Sequence, residues 1–255
     1  MSLNYDKVGR FLAQIEGGKD NSKIVSISTD PKDEDDITRA FTKIKLTGES
    51  KFQQVPCVDT ERQILYITGA SGSGKSTYTA NFIKKYKKLK KGSEVYCFSA
   101  LADDVSLDVI NPKRITIDET LITEPIPVSE FANSLVVFDD IDVISDKKQR
   151  EAVYSLLNQI LEVGRHHKIW CIVTSHLPTA GKDTRRILNE CHCVVWFPHS
   201  GSGVGMKRLL CDYLGLDKNV IKKVKKMKTR WACCHKNYPQ ILMTEQEMWL
   251  AHEDE

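Results

Sequence analysis

Between Ile67 and Thr77 the chain reads ITGASGSGKST, and Gly69, Gly74, Lys75 and Ser76 fall on the spacing Gly-x-x-x-x-Gly-Lys-Ser. Glycines at the bends let successive backbone N–H groups turn inward. Gly69, Ala70, Ser71, Gly72, Ser73 and Gly74 can therefore line a cradle for the β-phosphate of a nucleoside triphosphate. Lys75 would reach the β and γ oxygens, the Ser76 hydroxyl would ligate Mg2+, and Thr77 completes the motif. A helix starting here aims its positive N-terminal end at the same anion. Context argues against a chance Gly/Ser-rich loop. The apolar run ILYIT precedes the motif, and Tyr78, Phe82, Ile83, Tyr86 and Leu89 give the following segment a helical apolar face.

Two further apolar runs end in polar residues. LVVFDDID, Leu135 to Asp142, reads as a buried strand whose tip delivers Asp139 to the Mg2+ shell and Asp140 toward the γ-phosphate, where it can take a proton from an attacking water. Aspartate is one methylene shorter than glutamate, so the water must sit close or the strand tip must lean in. Asp142 is read more simply, as solvating a loop or capping the next helix. In IWCIVTSHLP, Ile169 to Pro178, Thr174 or Ser175 could hydrogen-bond the γ-phosphate or the water, and equally could cap a helix.

These tips need a scaffold. From Ile64 onward short apolar runs alternate with helical periodicity: ILYIT, EVYCFSA, RITID, SLVVFDD, IWCIVTS and CVVWFP. This is the pattern of an α/β domain with a mostly parallel sheet flanked by helices. The clearest helix carries Val153, Leu156, Leu157, Ile160 and Leu161 on one face, with Ser145 or Asp146 as its cap and Gly164 at its end. The expected division is a polar N-terminal flank over residues 1–60 with strands near KIVSIS and FTKIKLTG, a core over 61–200, and a C-terminal addition over 201–255. The last contains a flexible GSGVG break, two short helices (206–214 and 217–227) and a hairpin around a KNYPQ turn.

Composition supports one substantial core: 255 residues, 41% apolar and 28% charged. No apolar run approaches the roughly 18 residues needed to cross a bilayer, and the first residues lack the apolar centre of a signal peptide, so a cytosolic, non-secreted setting is expected. Eight cysteines in that setting are expected to stay reduced and to pack as small hydrophobes. Cys191, His192 and Cys193 with Cys233, Cys234 and His235 invite a zinc reading, but no Cys-x-x-Cys is present and alternation along a strand separates neighbouring side chains. Buried thiols without metal are the expectation. The net charge of +3 averages the acidic stretch Asp30 to Asp36 against basic runs at Lys84 to Lys91 and Lys222 to Arg230. These runs could touch DNA phosphates but read more simply as solvated helix ends.

The segments YITGASGSGKST, SLVVFDDID, EVGRHHKIWCIVTSHLP, RRILNECHCVVWF and YLGLDKNVIKKVKKMKTRWACCHKNYP together resemble the FtsK/HerA superfamily of P-loop ATPases. Within it the likeness is closer to the DNA-packaging ATPases of poxviruses and other large nucleocytoplasmic DNA viruses. The phosphate loop alone is unspecific; its combination with Gly164-Arg165 before one strand and the Thr-Ser-x-x-Pro exit is much less so.

The resemblance implies a RecA-like (ASCE-type) P-loop NTPase with the IWCIVTS strand inserted between the loop strand and the VVFDD strand. It implies ATP and Mg2+ as ligands, a homo-oligomeric ring around double-stranded DNA, and hydrolysis coupled to translocation. The implied setting is viral genome packaging in the host cytoplasm or virion, with a capsid or membrane-associated virion protein as partner. It also places Arg165 as an arginine finger supplied in trans, with Arg185 and Arg186 as rivals, although Arg165 equally suits a helix C-terminus. Two departures are visible: Asp140 stands where cellular members usually carry Glu, and His176 where many carry Gln. A nucleoside or nucleotide kinase, or a non-translocating ATP-dependent assembly switch, are the alternatives.

Overall fold

The computed structural model describes residues 2–5, 9–28, 41–57, 60, 62–101, 103–200 and 203–251. The acidic stretch at 30–36 and the first two residues of GSGVG lie outside them; Gly203 and Gly205 of that expected break begin a helix instead.

The N-terminal part contributes β1 (Ser2–Asn4), β2 (Arg10–Glu16), β3 (Ile24–Ser28), β4 (Lys43–Lys45) and β5 (Lys51–Gln54). Four of them form an antiparallel sheet in the order β1-β3-β2-β5. The core follows as β6 (Ile64–Thr68), α1 (Lys75–Leu89), β7 (Val95–Ser99), α2 (Val105–Asp108), β8 (Lys113–Ile115), α3 (Thr120–Thr123), β9 (Leu135–Asp139), α4 (Lys147–Val163), β10 (Trp170–Ser175), α5 (Gly181–Glu190) and β11 (Cys193–Trp196). The C-terminal part adds α6 (Gly203–Arg208), extended by a π-helical turn over Leu209–Tyr213, α7 (Lys218–Lys226), β12 (Ala232–His235), β13 (Ile241–Thr244) and β14 (Glu247–Leu250).

The large sheet has ten strands in the order β4-β14-β13-β12-β11-β6-β10-β9-β7-β8. Its run from β11 to β8 is parallel, whereas β12, β13, β14 and β4 continue it antiparallel. β10 lies between β6 and β9, the insertion implied by the resemblance. β4, from the N-terminal flank, pairs with β14, so flank and C-terminal addition complete one sheet.

Strands with an unbroken apolar run are buried on both faces, and β6 shows how the two faces divide. Ile64 and Tyr66 join Val136, Phe138, Val173 and the α4 residues Val153, Leu157 and Ile160 in one layer. Leu65 and Ile67 join Ile172, Val195 and the α1 residues Phe82, Ile83 and Tyr86 in the other, which the small N-terminal sheet extends through Leu12, Ile15 and Phe52. Asp146 caps α4, its carboxylate accepting from the Gln149 N–H at 2.8 Å. At the other end Arg62 donates to the Leu161 carbonyl at 2.6 Å. Gly164 follows with right-handed backbone, and a Cβ there would meet the Ile160 carbonyl at 2.3 Å.

Candidate nucleotide and metal site

The loop after β6 is folded by three close approaches. The Gly69 N–H donates to the Ser175 carbonyl at 3.2 Å, drawing the chain toward the tip of β10. A Cβ on Gly69 would fall 2.6 Å from Ser73 Oγ and 2.8 Å from the Phe197 ring, so only glycine fits. Gly72 and Gly74 adopt φ of 72° and 110°, conformations that cost glycine nothing. Ala70 N–H donates to Ser200 Oγ at 3.2 Å, Ser71 and Thr77 are exposed, and Ser76 lies half-buried in the first turn of α1.

That turn has no side-chain cap. Its N–H groups point at the space the loop encloses, and Ser73 Oγ is buried beside them without a partner. Both observations fit an anionic ligand, since an N-terminal helix turn and an orphaned hydroxyl are the donors a phosphate needs. Lys75 is only 5% exposed; its Nζ donates to the Gly69 carbonyl at 3.1 Å and lies 3.3 Å from His176 Nδ1 and 3.4 Å from Asp140 Oδ2.

β9 brings the two acids to the same end. Asp139 is 3% exposed, with Oδ1 receiving Thr174 Oγ1 at 2.9 Å and Oδ2 receiving Ser99 Oγ at 3.2 Å. Burial raises its carboxyl above the ordinary range, the neighbouring Asp140 charge raises it further, and the Thr174 and Ser99 hydrogen bonds pull the other way. A cation would relieve that paired negative charge, and a hydroxyl with a carboxylate is the oxygen donor set Mg2+ takes, so Ser76 and Asp139 fit it chemically.

Asp140 turns the chain at φ 47°, ψ 40°, the left-handed region where Asp is among the better-tolerated non-glycine residues. Its N–H donates to Thr174 Oγ1 at 2.8 Å, and its Oδ2 lies 2.9 Å from His176 Nε2. Thr174 Oγ1 is also 3.0 Å from Asp140 Oδ1. A hydroxyl carries one proton, so Thr174 can donate to Asp139 or to Asp140 but not fully to both.

The structure thus brings together the loop, Lys75, Asp139, Asp140 and Thr174. It revises the reading of Asp142, which neither caps α4 nor merely solvates a loop: its Oδ2 accepts from Ser175 Oγ at 3.0 Å and from the His176 N–H at 3.2 Å. Ser175 Oγ is thereby committed to the strand exit, being also 3.0 Å from the Leu177 carbonyl. Ser99 was missed by sequence reasoning; its one signal is its position at the tip of a strand paired with β9. His176 was visible only as a departure from a pattern, and its bond to Asp140 supplies the role.

Arg165 is not at this end. It is exposed just before β10, whose six residues span roughly 20 Å to the opposite strand edge. There it borders a depression of about 480 Å³ with Arg62, Glu190 and His192. Of its rivals, Arg186 pairs with Glu162 at 3.2 Å and Arg185 is exposed. Beside the loop a smaller cavity of about 200 Å³ is lined by Ser73, Gly74, Thr77, Phe197 and Arg230.

No family model matches the chain. Among solved structures, the genome packaging NTPase B204 from Sulfolobus turreted icosahedral virus 2, in complex with AMPPCP, superposes with a TM-score of 0.51 at 14% identity, covering 73% of this chain and 98% of B204. The cytoplasmic domain of the Thermomonospora curvata Type VII secretion ATPase EccC superposes with a TM-score of 0.53 at 11% identity, covering 80% of this chain and 28% of that one. At these identities the likeness is one of fold: an α/β fold whose mostly parallel sheet is flanked by helices, as in these ATPases. In sequence, the uncharacterized protein V3 of Sputnik virophage is 38% identical over 246 residues, 95% of this chain and 96% of V3. The chain belongs to the family of this virophage protein.

Proposed function

We propose that the protein is an ATP-hydrolysing motor that translocates double-stranded DNA and packages a viral genome into its capsid. The observation that carries the hydrolytic part is the convergence of Lys75, Asp139, Asp140, Thr174 and His176 at one sheet edge beside an uncapped helix terminus. The fold shared with B204, described as a genome packaging NTPase, and the virophage source of V3 support the packaging part.

In this reading the loop N–H groups and the first turn of α1 bind the β-phosphate. Lys75, which pairs with Asp140, exchanges that carboxylate for phosphate oxygens. Asp140 is then free to orient a water and accept its proton, with His176 holding one carboxylate oxygen and Thr174 the other. Ser76 and Asp139 would hold Mg2+, which supplies charge neutralisation on the phosphates. Arg165 lies too far away to serve its own loop, so in this reading it acts on the loop of a neighbouring subunit, as in a homo-oligomeric ring.

The test is phosphate release from ATP with and without duplex DNA, followed by offering nucleosides as acceptors. DNA-stimulated release is the expected result. A phosphorylated nucleoside would establish a kinase instead, and tight ATP binding without turnover an assembly switch.

A further inference from the structure

β11 and β12 are antiparallel neighbours, and their register sets Cys193 directly opposite His235. Residues two apart on a strand share a face, so Cys233 joins them on that face. Cys193 Sγ lies 3.2 Å from His235 Nδ1, and the ligand atoms of all three residues lie within 4.8 Å of one another. None is more than 3% exposed. Cys191 and Cys234 belong to the packing on the opposite face of the sheet. Alternation along each strand separates the six-residue Cys/His set, as the sequence predicts, and pairing across the ladder gathers three of its members again.

Around this trio the layer is apolar, with Leu65, Val195, Ile241 and Met243 among its members. Two thiols and an imidazole are poorly satisfied by one another there. His235 Nε2 is buried with no partner, while Gln63 Nε2 donates to Cys193 Sγ at 3.3 Å, an N–H···S bond that suits a thiolate.

We propose that Cys193, Cys233 and His235 bind a single thiophilic cation, Zn2+ or Cu+. Metal–sulfur bonds of about 2.3 Å and metal–nitrogen bonds of about 2.0 Å place such ligand atoms roughly 3.5–4 Å apart, within small side-chain adjustments of the observed trio. Two thiolates and one imidazole form a soft donor set. Binding releases the thiol protons still present and leaves the oxidation states of sulfur and metal unchanged. The ion would pin β12 to β11, whose next residue, Phe197, packs under Gly69 and Gly74.

The test uses the full chain, produced without a polyhistidine tag and purified under reducing conditions. Elemental analysis should find one Zn or one Cu per chain, which also distinguishes the two ions. Metal-stripped protein titrated with Co2+ should gain the near-ultraviolet thiolate-to-cobalt charge-transfer band, and Zn2+ should abolish it. Metal affinity should fall about tenfold or more in Cys233→Ser and stay unchanged in Cys234→Ser, whose side chain faces the other layer. Folded wild-type protein that carries no stoichiometric metal, gives no Co2+ band and takes up no Cu+ overturns the proposal, whatever the variants do. So does a Cys193–Cys233 disulfide as the resting state.

Discussion

The tips of β6, β9 and β10 and the paired residues of β11 and β12 both place polar side chains inside the same sheet, under opposite constraints. At the tips the ladder has ended, so the backbone can turn, as it does through Gly74 and Asp140, and a side chain can exchange one partner for another. Lys75 has a carbonyl, an imidazole and a carboxylate within 3.4 Å, and a phosphate can displace them. Where β11 and β12 pair, the ladder fixes the direction of every side chain, and Cys193, Cys233 and His235 are held together on one buried face. Groups at strand ends are therefore suited to turnover, and groups in the ladder to permanent binding.

Four experiments press on that contrast, from the largest effect down. Arg165→Ala, at the opposite edge from the loop, should lower turnover about a thousandfold in the assembled oligomer. Mixing Arg165→Ala subunits with Asp140→Asn subunits should restore part of it, because some interfaces then hold one intact copy of each residue; mixtures no more active than either parent remove Arg165 from the mechanism. Asp140→Asn should lower turnover about a hundredfold while ATP affinity, followed by calorimetry, stays within a few-fold. Equal turnover would take Asp140 out of the role of base.

Phe197→Ala joins the two regions, since Phe197 follows β11 and closes under the loop after β6. Removing this 4% exposed ring should cost about 3 kcal/mol in denaturant unfolding and weaken ATP binding through a loosened loop. The smallest effect is expected from Asp139→Asn in nucleotide-free protein. Because the Asp139 carboxyl titrates higher folded than unfolded, protons bind preferentially to the folded chain between the two values. Stability is complete below the unfolded value, falls as pH rises through the raised folded value, and stays reduced above it. Asparagine removes that loss, so the variant should be more stable near neutrality, with the gain vanishing in acid. A variant that is less stable at neutral pH would contradict the raised Asp139 carboxyl.

Much of this was legible before any coordinates. Glycine spacing announces the loop because few other residues tolerate φ of 110° or the 2.8 Å approach to Phe197, and the apolar runs announce the central strands because both faces of each are covered. The small N-terminal sheet was half hidden. β2 and β5 carry Gln14, Gln53 and Gln54, which do not read as strand interior, yet Gln54 is fully buried and accepts from the Tyr78 hydroxyl at 2.5 Å. β14 was missed for a related reason: four residues, EMWL, are too few to show a period. The six-residue Cys/His set was visible, but which three of its members meet was not, because register across a ladder, unlike alternation along a strand, leaves no trace in local sequence.

The left-handed turn at Asp140 bears on its short side chain. In the proposed site the backbone, which swings the whole residue off the strand axis, would supply the reach toward the nucleotide, so no extra methylene is required. Glutamate, one methylene longer and less at ease in left-handed backbone, would strain the bend and overshoot His176, whereas asparagine shares aspartate's tolerance for it. The replacement that keeps the charge should thus distort the site more than the one that removes it, and comparing the two separates where the carboxylate is held from what it does.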